Sequence, residues 1–205
     1  MRVAGSLWSV PPGEQLDTVA HLASRGLSRL HWDASDGLFA AAGGFSAEHA
    51  RELTLLGGLD AEAHLMVSDP FAEVDAWTDF CDVIYLHAEV DEWPRAADRI
   101  SRRGSRPGLA VRLESSVESL PRDMPMLCMS ITPGQAGSVF DRRVLPRVRR
   151  LRELSPDRSL SVDGGVTRSL VADLAEAGVE SIVVGTDLVA ADGAQRWGDV
   201  LRPIH

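Results

Sequence analysis

The sequence predicts an α/β chain folded as one compact (β/α)8 barrel, the TIM-barrel architecture, over residues 1–205. Two observations carry this. Short apolar runs of strand type alternate with longer stretches of helical period along the whole chain, and such runs number eight. Regular strand–helix alternation calls for a parallel sheet with right-handed crossovers. Eight repeats favour closure into a barrel over an open doubly wound sheet, and 205 residues place the chain at the compact end for that fold.

The strand candidates, in order, are RVAGSLW (2–8), SRLHWD (28–33), AEAHLMV (61–67), DVIYLHAE (82–89), GLAVRL (108–113), MLCMSI (126–131), SLSVDGG (159–165) and SIVVGT (181–186). Between them GEQLDTVAHLASRG, SAEHARELTLLGG, DPFAEVDAWTDF, WPRAADRISRRG, the short SVESL, RRVLPRVRRLREL and TRSLVADLAEAG space apolar residues by three and four, as helices do. Several close on glycine, a helix C-terminal signal. The tail RWGDVLRPIH is expected to close the barrel as a final helix, with His205 in solvent. No linker, low-complexity tract or charge block divides the chain.

Composition narrows the function. Acidic residues outnumber basic ones 30 to 21, for a formal charge of −9. No basic face stands out beyond LPRVRRLR, so a nucleic-acid partner is not expected. Neither a signal peptide nor a membrane-spanning run is legible, which points to a cytoplasmic, membrane-free protein. Cys81 and Cys128 lie in apolar surroundings without CxxC spacing, as buried free thiols do. All 21 basic residues are arginine. The absence of lysine removes Schiff-base chemistry, a lysine general base and the lysine-dependent phosphate loop.

In a parallel barrel the reactive groups come from the C-terminal strand ends. His31 and Asp33 alternate along the end of the second run and face one side, with Trp32 turned the other way. His64 takes the matching place in AHLMV and Asp163 in SVDGG. Two imidazoles and two carboxylates converging from three strands suit one divalent metal ion such as Zn2+, Fe2+, Mn2+ or Co2+. Taken singly, each buried histidine is equally well a hydrogen-bonded core residue.

A family resemblance enters at these residues and covers nearly the whole chain. LHWDASDGLF resembles the LHxDxMDGxF segment of ribulose-5-phosphate 3-epimerases, HLMVSDP their HLMVxxP and SVDGGV their xVDGGV. MSITPGQAGSVF is similar to their MxVxPGxGGQxF loop, VVGTDLV to VxGSxxF and AGSLWS to APSILS. The resemblance implies metal ligands at His31, Asp33, His64 and Asp163, with Asp33 and Asp163 also the two proton-transfer groups. Inversion beside a ketone needs both, because one base on one face restores the starting configuration. It further implies a phosphorylated ketose substrate, most simply D-ribulose 5-phosphate converted to D-xylulose 5-phosphate.

The phosphate is expected on backbone N–H groups of Gly134 and Gly137, of Gly164 and Gly165, and of Gly185 and Thr186, a neutral cradle in keeping with the missing lysine. Each glycine taken alone is as readily an ordinary turn residue. Ser6, His64 and Met129 match positions lining the sugar. His87 and Glu89 read as supporting residues behind the site, and Trp93 and Trp197 as exposed aromatics that could serve a homo-oligomer interface.

Departures from the family pattern line the mouth. Ser35 replaces the methionine over the metal site, Ala40–Ala42 stand for Val-Pro-Asn, and AVRLESSVE replaces AxxPxTPxE. Ala136 and Gln135 alter the loop after the sixth strand, and Val10-Pro11-Pro12 stand where an acidic residue is usual. These changes leave open a six-carbon ketose phosphate such as allulose 6-phosphate, and a barrel that binds a phosphosugar without turning it over. Decarboxylases that share the barrel lean on a lysine this chain does not have.

Overall fold

The computed structural model describes residues 1–201 and shows the closed barrel. Its strands are β1 (Arg2–Ser6), β2 (Arg29–Ser35), β3 (Asp60–Met66), β4 (Val83–His87), β5 (Arg106–Val111), β6 (Met126–Met129), β7 (Leu160–Asp163) and β8 (Ser181–Val184). They fall on the eight apolar runs, with ends displaced by no more than two residues. Neighbours pair in parallel, and β1 pairs with both β2 and β8, which closes the ring.

Crossover helices α1 (Gln15–Ser24), α2 (Ala47–Gly57), α3 (Pro70–Thr78), α4 (Trp93–Arg102), α5 (Val144–Leu154) and α6 (Val171–Glu176) surround it. Local chemistry sets their ends. Ser46 caps α2 by accepting from the His49 N–H at 3.3 Å, and Gly58 ends it in the left-handed region at φ +61°. Asp69 caps α3, with Pro70 in its first turn.

The outward strand side chains form the main core with the helices, and Trp32 is fully buried there with its Nε1–H donated to Thr54 Oγ1 at 2.9 Å. Inside the barrel a smaller apolar cluster holds Tyr85, Ala110, Leu127, Met129 and Val183. The interior along β2 and β3 is polar instead, with His31, Asp33, Glu62 and His64 all buried. Both cysteines are free and buried, as expected, and burial pushes the Cys128 thiol up to about 12.

Three expectations need correction. SVESL is not a helix: residues 112–125 cross as turns. Five residues ahead of Pro121 are too few to propagate a helix, and arginines hold the chain instead. Arg147 donates to the Arg112 carbonyl at 3.2 Å, and Arg150 grips Glu118 at 2.9 and 3.0 Å. Next, Trp197 is no exposed aromatic. It is fully buried and donates Nε1–H to Asp187 Oδ2 at 2.7 Å, which pins the tail to the short helix that follows β8, while Trp93 is half-buried against the core. Finally, the tail is not one helix. The short helices α7 (Thr186–Val189), α8 (Gly193–Arg196) and α9 (Gly198–Leu201) follow β8, and residues 202–205, with His205, lie outside the described residues.

Candidate active site

Strand alternation puts His31 and Asp33 inside the barrel on β2, His64 beside them on β3, and Asp163 at the end of β7. The register aligns Asp33 with His64 on the neighbouring strand. One ligand atom from each of the four lies within 4.8 Å of the others. Asp33 Oδ1 stands 3.0 Å from His64 Nδ1 and 3.4 Å from His31 Nε2, and Asp163 Oδ2 is 3.9 Å from His64 Nδ1. His31 and His64 are completely buried.

Their surroundings split the two carboxyls electrostatically. Burial alone would raise Asp33, but the adjoining His31 and His64 imidazoles outweigh it and hold Asp33 well below the usual carboxylate range. Burial raises Asp163, and the neighbouring Asp33 charge adds to it, so its pKa lies above the ordinary value. Surroundings that drive a pair apart in this way divide the roles of proton acceptor and proton donor between two carboxyls in one site. Burial opposes a charged His31, yet Asp33 and Glu62 together push its pKa well above the ordinary value.

His31 Nε2 is buried without a hydrogen-bond partner. Such an atom costs about 1–3 kcal/mol when left unsatisfied, and here it faces two carboxylates and a second imidazole. That donor set fits a divalent metal ion of the zinc or iron type.

Above the four lies a cavity of about 650 Å3 at the C-terminal strand ends. Ser6, Asp33, Met66, Met129 and Asp163 line it on the barrel side, and Gly134, Gly137, Gly164, Gly165, Gly185 and Thr186 on the loop side. Ser6 Oγ donates to Asp33 Oδ2 at 3.5 Å. Every cavity-lining residue anticipated from the sequence is therefore brought to this one cavity except His64, which lies buried beneath. Gly165 sits at φ +59°, where a Cβ would come 2.5 Å from Phe140 N, so the turn after β7 admits only glycine. Gly185 has no such need, since a Cβ there would meet nothing nearer than 3.5 Å.

Several contributors are invisible to pattern reading. Residues Gly43–Gly44 form a two-residue strand antiparallel to the end of β2 and fold the loop back over Asp33. Asp36 holds that loop by accepting from the Leu38 and Phe39 N–H groups at 2.8 and 2.9 Å and from Ser68 at 2.6 Å; burial pushes its carboxyl up, but these hydrogen bonds together outweigh it and keep the group well below its usual range. Phe39 then packs on His87, ring centres 4.3 Å apart. Trp8 walls the cavity against Gly43. His87 and Glu89, by contrast, are anticipated from the sequence as supporting residues, and they stand behind His64: His87 Nε2 is 2.9 Å from His64 Nε2, and His87 Nδ1 donates to Glu89 Oε2 at 2.9 Å. Burial drives the His87 pKa down to about 4 despite Glu89, so its ring is neutral at pH 7.

With this geometry in place, comparison with known proteins decides the family. Residues 2–189 match the Ribulose-phosphate 3 epimerase family. The chain belongs to the ribulose-phosphate 3-epimerase family. Curated relatives include ribulose-phosphate 3-epimerases from Mycobacterium tuberculosis (strain ATCC 25618 / H37Rv), 29% identical over 83% of this chain and 79% of the relative, and from Aquifex aeolicus, 27% identical over 92% and 87%. The rice cytoplasmic isoform is 29% identical over 88% of this chain and 82% of its own length. Membership in the ribulose-phosphate 3-epimerase family makes this an isomerase-class enzyme. Among solved structures, 3-hexulose-6-phosphate synthase from Salmonella typhimurium superposes with a TM-score of 0.73 at 15% identity, covering 98% of each chain, a likeness of fold alone. No helix among the described residues is long and apolar enough to cross a membrane.

Proposed function

We propose that this epimerase inverts C3 of a ketose phosphate, most simply interconverting D-ribulose 5-phosphate and D-xylulose 5-phosphate, with Asp33 and Asp163 as the proton-transfer pair. The observation that carries the reading is the pairing of these two carboxyls, Asp33 held below and Asp163 raised above the ordinary carboxylate range, at the floor of a cavity whose far wall is a glycine-rich loop system. His31, Asp33, His64 and Asp163 would hold a divalent metal ion. When bound, that ion supplies Lewis-acid stabilisation of the charge on the substrate oxygens as the C3 proton leaves.

The chain's own residues do the rest. The Asp33 carboxylate removes the C3 proton from one face, with Oδ2 the oxygen that meets only the Ser6 hydroxyl, and Asp163, in its protonated form, delivers a proton to the opposite face. In the reverse direction the roles exchange. A positioned carboxylate typically contributes on the order of 10^2 to 10^4 in rate. Backbone N–H groups of the turns at Gly164–Gly165 and Gly185–Thr186, with the Gly134–Gly137 loop, receive the phosphate and fix C3 between the two carboxyls. Met66 and Met129 give the sugar carbons an apolar wall.

The test is turnover by Zn2+- or Mn2+-loaded protein of a panel of five- and six-carbon ketose phosphates, followed by NMR. Formation of the C3 epimer from the five-carbon substrate supports the assignment. Turnover of a six-carbon substrate alone would move it to that sugar, and no turnover of any would leave a binding protein.

A further inference from the structure

Glu62 is unassigned by the reading above, yet it is a carboxylate 4% exposed in the interior of a barrel. It lies on β3 two residues before His64 and directly across the ladder from His31. Its Oε1 is 2.8 Å from His31 Nδ1. Its Oε2 is 3.9 Å from Arg29 Nη1, and Arg29 Nη2 in turn reaches Asp82 Oδ2 at 2.8 Å and Asp60 Oδ2 at 3.6 Å. A column of alternating charge therefore runs up one side of the barrel, from two exposed aspartates through Arg29 and Glu62 to His31. A buried carboxylate is costly unless paired and hydrogen-bonded, and this one is both.

The column has a consequence for His31. Its ring has two nitrogens, and the one facing Glu62 must carry hydrogen, because a carboxylate only accepts. The other, Nε2, is the buried nitrogen without a hydrogen-bond partner, and it faces the cluster of Asp33, His64 and Asp163. We propose that Glu62, anchored by Arg29, is a positioning residue for His31: it fixes hydrogen on Nδ1, locks the ring and turns Nε2 toward the ligand cluster. This rests on reading that cluster as a cation site. Carboxylates that hold a ligating histidine in this manner typically govern metal affinity by roughly 10- to 100-fold.

The experiment compares the full-length native protein with Glu62→Gln, which keeps the shape and removes the charge, and with Arg29→Met, which leaves Glu62 in place without its anchor. Zn2+ affinity is read by competition with a chelating dye. The His31 Nδ1–H resonance and its solvent exchange are read by long-range 1H–15N NMR in both zinc-free and zinc-loaded protein. The expected result is Zn2+ binding weaker by roughly 10- to 100-fold in Glu62→Gln, faster exchange of the Nδ1–H in both states, and a smaller change in the same direction in Arg29→Met. Zinc binding within twofold of native, or an unchanged Nδ1–H signal in Glu62→Gln, would overturn the proposal. Should native protein bind no zinc, the cation reading fails. The zinc-free spectra then decide the role of Glu62 alone: an Nδ1–H that exchanges slowly in native protein and rapidly in Glu62→Gln upholds it, and equal exchange refutes it.

Discussion

Asp33 and Asp163 differ in environment far more than in chemistry. The imidazoles of His31 and His64 flank Asp33, while Asp163 bears the Asp33 charge. Replacing one of them should thus separate two events that the native enzyme couples. In Asp163→Asn the epimerisation rate should fall on the order of 10^2 to 10^4-fold. Asp33 should still exchange the C3 proton of one epimer with solvent without inverting it. An NMR exchange measurement on each epimer checks this, and equal residual exchange from both would contradict the two-face arrangement. His31 carries the pH dependence. Its raised pKa means the charged ring stabilises the metal-free fold below the ordinary imidazole value, and that contribution is lost as pH rises through the folded pKa. A cation must displace the same proton, so zinc affinity should climb with pH across that window. Affinity that is flat between pH 5 and pH 9 in a dye-competition titration would rule this out. His31, Asp33, His64 and Asp163 were legible in the sequence because strand alternation and strand-end position are read from local spacing. Glu62 was not, since its meaning lies in an inter-strand register that no local spacing encodes.

At the scale of elements, the loop after β2 links fold to site. Gly44 adopts φ +83°, and a Cβ there would fall 2.1 Å from the Asp33 carbonyl oxygen. Gly44→Ala must therefore push the loop away from the strand that bears Asp33. Stability should drop by roughly 1–3 kcal/mol, and turnover should fall with it. Thermal melting and kcat read the two effects, and a variant with native values in both would show that the short strand does not hold the site. This strand escaped sequence reading because two glycines carry no periodicity. The crossover over residues 112–125 escaped for a different reason. SVESL has helix-like spacing, but arginines of α5 hold the crossover instead, Arg150 through the Glu118 carboxylate and Arg147 through the Arg112 carbonyl, contacts made across more than thirty residues. The helices that were legible, such as α2 and α3, announce themselves with caps at Ser46 and Asp69 and with enough length to propagate.

For the molecule as a whole, the closed parallel ring sets the rule that binds these scales together. Eight strands point their C-terminal ends at one rim, so residues from β1, β2, β3, β6, β7 and β8 meet at one cavity floor although they span the chain. A cation held there ties β2, β3 and β7 to one another. Saturating zinc, at about 100 times its dissociation constant, should stabilise the fold by about 2.7 kcal/mol, and EDTA should reverse the rise in melting temperature. A melt indifferent to both would speak against the cation. The most direct test of the central claim, proton transfer at C3 by two carboxyls, is turnover of D-ribulose 5-phosphate in D2O by the metal-loaded protein. The account predicts D-xylulose 5-phosphate carrying one solvent deuterium at C3. Product formed with its original C3 proton retained, or no product at all, would contradict it.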